Sequence, residues 1–560
     1  MTTRLLGISD FNLQSLSAEL ARLPGFPALE AVETPYGQVA QTILDPGAPG
    51  WHAAPDVALV WTRPEGVLET FARVLRGENV PIEQALADVD AFADLIGRLE
   101  ERVRTVLVCP WVLPPDRKPF ATWSWNDPAG PDRLLARLNA RLLERLDAHP
   151  SFLVLPAPNW LASQGAAAWS PKLWTLGKIP WTNALFQEAA RSIQSTLAGL
   201  AGRSRKLLLL DLDNTLWGGI LGDDGIDGIR LGPPDPVGEA FADFQRAVLA
   251  LSRRGVALGL VSKNEEATAL HAIREHPEMA LELRHFAGWR INWNDKAANV
   301  AELTQEINVG LDAVVFVDDN PVERARVAEA LPDVLVPDWP ADPANYVRAL
   351  QSLRCFDPPT LSDEDRDRTA MYTAERERRV ARADVSDLGE WLETLATVAT
   401  CEPLGERNLG RAAQLLNKTN QMNLTTRRLA ESELLAWSRT SGNVFWCFRV
   451  ADKLGDLGLT GLLSLERHGS AARIVDFVLS CRILGRRVEE TMLAHAIAWA
   501  RAAGLEEVSA QPIATPKNAP CLRFFRESTW ERDETETEYR WPTSRSFEVP
   551  TSVQLVVRTD

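Results

Sequence analysis

Asp211 and Asp213 close the run Leu207-Leu208-Leu209-Leu210, and the chain then turns through Asn214-Thr215-Leu216-Trp217-Gly218-Gly219. A leucine run without polar alternation suits a parallel strand covered on both faces, and open α/β sheets bind ligands just beyond such strand ends. The residue between the two acids points the other way in a strand, so both carboxylates can face one site. Two like charges held together call for a cation. A hard divalent ion such as Mg²⁺, which takes oxygen ligands and leaves positions open for a phosphate, meets that need. The bland alternative is an ordinary turn, since Asp and Asn are turn formers without any catalytic role.

Further residues of the same chemistry follow in order. Ser262-Lys263-Asn264 closes an apolar run from Val256 to Val261, Lys296 ends the phrase Asn292-Trp293-Asn294-Asp295, and Asp318-Asp319 closes Val314 to Val317. Taken together, Asp211-x-Asp213-x-Thr215, Ser262, Lys296 and Asp318-Asp319 resemble the haloacid dehalogenase (HAD) superfamily of phosphotransferases. The resemblance implies that Asp211 attacks phosphorus and that Asp213 works as general acid and base. It also implies phosphate binding by Thr215, Ser262, Lys263, Asn264 and Lys296, and a Mg²⁺ site of Asp211, Asp213 (through its carbonyl), Asp318 and Asp319. A glycine-rich flap follows Thr215, and the spacing from Ser262 to Lys296 is short and reads as mostly helical. That leaves no room for a large cap domain, so a bulky or protein-tethered substrate can reach the site.

The elements that carry these residues belong to a long chain. At 560 residues it is expected to form about three or four domains. The formal net charge of -16 excludes broad binding to nucleic acid or membrane surfaces, both polyanionic. Six scattered cysteines show neither zinc spacing nor a disulfide framework, which points to a reducing cytoplasm. The apolar part of the N-terminus is too short for a signal peptide, and no later run approaches a membrane span.

Residues 1–200 alternate short apolar runs with amphipathic helices. Strands are expected at Leu5 to Ile8, Val57 to Trp61, Val106 to Cys109 and Phe152 to Leu155, with helices from Ile82 to Arg104 and Asp132 to Ala148. This predicts a parallel sheet flanked by helices. Ser9, Asp10 and Asn12 follow the first strand, where a hydrolase of the SGNH type carries its nucleophile. Only His52 and His149 occur in the domain, and no late Asp-x-x-His pair exists. The reading is therefore a three-layer SGNH-like α/β domain used for binding or docking. Trp169, Trp174 and Trp181 mark a candidate segment for packing on the next domain.

The HAD-like Rossmann domain is assigned to 204–356, a charged connecting helix to 357–384 and an α+β domain to 385–560. In the last, strands are expected at Val444 to Val450, Gly461 to Glu466 and Ala472 to Leu479, with a helix from Val488 to Ala503. Between strand and helix, Arg482-Ile483-Leu484-Gly485-Arg486-Arg487 resembles the pyrophosphate loop of GNAT acyltransferases. Arg487 departs from the final small residue of that pattern, which speaks against ordinary coenzyme A binding.

Longer phrases resemble the FkbH-like family over roughly residues 150 to 540. They include Asp211 to Gly219, His276-Pro277-Glu278-Met279, Asn292 to Lys296, Asn417-Lys418-Thr419-Asn420-Gln421, Ser480-Cys481-Arg482 and Pro516-Lys517-Asn518-Ala519. The resemblance implies dephosphorylation of a glyceryl unit drawn from 1,3-bisphosphoglycerate, and its loading on the phosphopantetheine thiol of an acyl carrier protein. Met422, where Phe is usual, and Leu454 and Leu457 in Lys453-Leu454-Gly455-Asp456-Leu457-Gly458 are departures that leave the acyl unit open.

A stepwise transfer needs a thiol. Cys481, at a strand end beside Arg482, is the leading candidate against an inert buried cysteine, with Cys521 behind it. Arg482, Gly485, Arg486, Asn420, Lys517 and Asn518 are assigned to the acyl or phosphopantetheine chain, while His468 and His495 are the available bases. Two rival readings are a small-molecule phosphatase without acyl transfer and a non-enzymatic docking scaffold.

Overall fold

The computed structural model describes residues 2–114, 121–356, 388–419, 421–480, 483–515, 518–533 and 537–558. The charged segment 357–384 lies outside the described residues. The chain divides into two compact units, Met1–Ser204 with Leu353–Pro359, and Arg205–Ser352 with Thr360–Asp560.

The first unit is built on a parallel five-stranded sheet in the order β2-β1-β3-β4-β5. Its strands are β1 (Thr2–Ile8), β2 (Ala28–Val32), β3 (Val57–Val60), β4 (Thr105–Val108) and β5 (Phe152–Val154). Period-two alternation sends Leu6, Ala58, Val60 and Val106 into one core, under helices Ile82–Gly97 and Pro131–Leu146. Leu5, Leu59 and Leu107 enter a second core, under helices Gln14–Arg22 and Asn183–Leu200. The result is three layers. The sequence reading omits β2 because this edge strand buries only Leu29 fully and carries the exposed Glu30 amid its apolar residues. Trp169 and Trp181 are buried in this unit's own second core beside Trp61 and Trp160, so the tryptophan-rich run serves its own domain. Ser195 Oγ donates to the Arg354 carbonyl at 2.6 Å, and Arg354 pairs with Glu188. These contacts return residues 353–356 to the first unit.

The second unit opens with a parallel four-stranded sheet, order β8-β7-β6-β9. Its strands are β6 (Leu207–Leu210), β7 (Ala257–Ser262), β8 (Phe286–Ile291) and β9 (Val314–Val317). β6 is buried throughout and lies between β7 and β9, as its unbroken leucine run requires. β8 corrects the expectation of a mostly helical stretch before Trp293. It is an edge strand whose half-exposed Trp289 and Arg290 hide the pattern.

Beyond residue 388 a mixed sheet runs β16-β17-β15-β14-β13-β12-β10-β18, with β11 paired to β14. The strands are β10 (Thr397–Pro403), β11 (Met422–Asn423), β12 (Asn443–Asp452), β13 (Gly455–His468), β14 (Ala471–Leu479), β15 (Glu507–Ala510), β16 (Glu531–Arg532), β17 (Tyr539–Pro542) and β18 (Val553–Val557). Helix Val488–Ala502 buries Val488, Met492 and Ile497 against β13 and β14. This segment is α+β, as expected. Among the described residues no helix is long and apolar enough to cross a membrane.

Candidate active site

The C-terminal ends of β6 and β9 carry the acids. Asp211 follows β6 and its amide donates to the Val317 carbonyl at 3.0 Å, which fixes it beside Asp318 and Asp319. Ligand oxygens of Asp211, Asp318 and Asp319 all lie within 4.8 Å of one another. Lys296 opens helix Lys296–Ile307 and is 4% exposed; its Nζ lies 2.6 Å from Asp318 Oδ2 and 2.9 Å from Asp211 Oδ1. The second contact is an ion pair only, because Asp211 Oδ1 receives no well-aimed hydrogen bond.

The charges perturb one another. Burial pushes the Asp318 carboxyl up, reinforced by the Asp211 charge, to about 6. Asp319 is raised for the same two reasons. Burial alone would lower Lys296, but the Asp211 and Asp318 charges outweigh it and hold the ammonium above its ordinary range. Three close carboxylates face one ammonium, and Asp211 Oδ1 has the Lys296 ion pair without a well-aimed hydrogen bond. Oxygen-only donors with excess negative charge fit a hard divalent cation. Asp211, Asp318 and Asp319 are the residues that would hold it.

The rest of the loop is braced from several directions. Asp319 N donates to Thr215 Oγ1 at 3.2 Å, Asn320 N donates to Asp318 Oδ1 at 2.9 Å, and Arg324 donates to the Asp318 and Asp319 carbonyls. Asp213 Oδ1 accepts from Trp217 Nε1 (2.9 Å) and Leu221 N (3.1 Å), and its Oδ2 accepts from Asn264 Nδ2 (2.9 Å). Burial still leaves Asp213 raised, the direction a general acid needs. Asn214 sits at φ 53°, its side chain accepting from Gly219 N and its carbonyl from Tyr346 Oη at 2.9 Å.

Of the sequence-assigned residues, Asp211, Lys296, Asp318 and Asp319 meet directly. Asp213 turns its carboxylate to the flap and to Asn264. Ser262 is the buried last residue of β7, and its carbonyl accepts from Asn292 N at 3.0 Å. Lys263 Nζ pairs with Glu323 at 2.6 Å. Trp217, Arg324 and Tyr346 were missed. Trp217 was within reach, four residues beyond Asp213, but nothing local announces that Tyr346 will close on Asn214.

The chain is similar to the N-terminal part of protein BF1531 from Bacteroides fragilis, a structure containing a phosphatase domain complexed with Mg. Identity is 28%, with 64% of this chain and 95% of that chain covered and a TM-score of 0.58. The four-stranded domain has the HAD-like Rossmann fold. Acetyltransferase structures also match, at TM-scores too low to bear on fold or activity. Among them are the ribosomal-protein-S18-alanine N-acetyltransferase of Escherichia coli (13% identity, 27% of this chain, 97% of that chain, TM-score 0.20) and the spermidine N-acetyltransferase of Vibrio cholerae in complex with CoA and spermine (14%, 26%, 96%, 0.21). No family model and no curated protein matches the chain.

The residues assigned to acyl transfer divide differently. Cys481, Arg482, Asn420 and Lys517 lie outside the described residues. Gly485 N donates to Glu489 Oε1 at 2.7 Å, while Glu489 Oε2 is buried without a partner. Arg486 faces Asp452 at 3.3 Å. Asn518 is fully buried and clips the Asn423 and Ile513 carbonyls, accepting from Thr515 N. Cys521 is buried and its thiol is pushed up to about 12. His495 sits 3.5 Å from Cys401 Sγ with Trp446 against its ring, and His468 pairs with Glu466.

Proposed function

We propose that this chain is a Mg²⁺-dependent HAD-type phosphatase coupled to acyl transfer. It takes a phosphoglyceryl unit from 1,3-bisphosphoglycerate, removes the phosphate and loads glyceryl on the thiol of an acyl carrier protein. The observation that carries the phosphatase half is the cluster of Asp211, Asp318 and Asp319, two of them paired with one buried lysine, supported by the Mg-bound phosphatase domain of the Bacteroides protein.

Asp211 is the nucleophile, with Lys296 holding its carboxylate and offsetting phosphoryl charge. Asp213, oriented by Trp217, Leu221 and Asn264, protonates the leaving oxygen and then deprotonates water. A bound divalent cation supplies charge neutralisation among the acids and the phosphoryl oxygens. In the acyl half, the Cys481 thiolate attacks the mixed anhydride, the carbon to phosphate-oxygen bond breaks, and inorganic phosphate leaves a thioester for the carrier thiol. The FkbH-like phrases of the sequence support that half.

Intact mass of a carrier protein incubated with 1,3-bisphosphoglycerate tests the proposal. The expected result is a glyceryl increment that Cys481→Ala abolishes; an increment unchanged in that variant removes Cys481 from the mechanism. A plain phosphatase is the second reading, favoured by Gly485 N being engaged by Glu489 and Asn518 being engaged by backbone. Under that reading phosphate is released without any carrier gaining mass.

A further inference from the structure

The first unit holds a cavity of about 400 Å³ between β1, β2 and helix Gln14–Arg22, beyond the C-terminal ends of the two strands. Its volume lies within the range of small-molecule sites, about 300 to 1,000 Å³, and its position is where parallel sheets receive ligands. Leu13, Ala31 and Val32, each part-buried, make its accessible apolar wall, while Leu5, Leu16 and Leu20 are already packed in the core. The polar groups nearest that wall are engaged: Ser9 Oγ accepts from Phe11 N, and Thr34 Oγ1 donates to the Gly7 carbonyl.

Charge decides what such a cavity accepts. Glu33 is the one charged residue in the lining, and it is exposed with no ion pair or hydrogen bond among the described residues. No lysine or arginine lines the cavity, and Asn12 Oδ1 already takes the amide of Gln14 at the helix start. A phosphate or carboxylate finds no counter-charge there. A cation finds Glu33 at the mouth and an apolar wall behind it.

We propose that this cavity binds a small amphipathic amine, its apolar body against Leu13, Ala31 and Val32 and its ammonium at Glu33. The site is independent of the phosphatase centre and of the acyl-transfer reading.

Calorimetric titration of the full chain with octylamine, octanol and octanoate at equal ionic strength tests it. One octylamine is expected per chain, with octanol roughly five-fold weaker, the scale of one half-exposed ion pair, and octanoate weaker still. Glu33→Gln should bring octylamine to the octanol level, and Ala31→Phe, on the cavity wall, should weaken both. Thermal melts of each variant check that the fold survives. Octanoate binding as tightly as octylamine, an affinity that Glu33→Gln leaves unchanged, or no octylamine binding at all would each overturn the proposal.

Discussion

The two parallel sheets both end in acids, and only one of them leaves those acids unanswered. In the first unit Asp10 follows β1, and Arg63, which follows β3, donates to both of its oxygens from its backbone amide and its guanidinium. Arg63 also reaches Glu65 and packs over the Trp174 ring at 4.1 Å. In the second unit Asp211, Asp318 and Asp319 share Lys296, a point charge that touches one oxygen on each of two carboxylates. A planar guanidinium can satisfy a carboxylate bidentately and close the crevice; one ammonium cannot do this for three. Strand-end acids thus become structure in one sheet and a metal-ready centre in the other. Ser9, the residue before Asp10, is buried, and its hydroxyl accepts from Phe11 N.

The largest expected break of this contrast is Asp211→Asn, which should lower Mg²⁺-dependent phosphate release by about a thousand-fold or more. Asp10→Asn should leave that rate unchanged. Phosphate release from a generic phosphomonoester measures both. Lys296→Met leaves buried carboxylates facing each other and should cost about 3 to 5 kcal/mol in chelator, much of it recovered with Mg²⁺. Denaturant melts with and without the ion check this; a loss that Mg²⁺ fails to reduce would contradict the metal assignment. Arg63→Leu should cost about 3 kcal/mol by stranding Asp10, with no recovery on adding Mg²⁺.

A third strand-end loop sharpens the comparison, because there an amide rather than a cation answers the acid. Burial raises the Glu489 carboxyl to about 7 from 4.5. A raised carboxyl pKa contributes stability that is fully present below about pH 4.5 and is lost as pH rises through about 7, with a span of at most about 3 kcal/mol. Glu489→Gln should flatten that part of the stability profile measured by melts from pH 5 to 8. The smallest expected effect is at Arg487, which stands at φ 65° where the GNAT pattern has a small residue. Arg487→Gly should stabilise the fold by about 1 kcal/mol by relieving the left-handed strain.

The acidic phrases were legible because chemistry and backbone coincide in them: an unbroken apolar run ending in Asp211, and another ending in Asp318-Asp319, specify buried parallel strands and their reactive ends together. β2 and β8 were not legible, since an edge strand has one poorly covered side and so lacks a continuous apolar signal. The fate of each polar side chain was likewise beyond reach. Lys263 and Lys296 look alike in a sequence, yet one pairs with Glu323 half in solvent and the other is buried between two aspartates.

By itself, then, the sequence determined which residue types stand at the strand ends and in what order, because that follows from local pattern. Tertiary structure alone decided that Arg63 closes Asp10, that Tyr346 holds Asn214 from 132 residues away, and that Lys263 pairs with Glu323. Those outcomes depend on which oppositely charged or hydrogen-bonding group the packing brings within about 3 Å, and no local pattern encodes that distance.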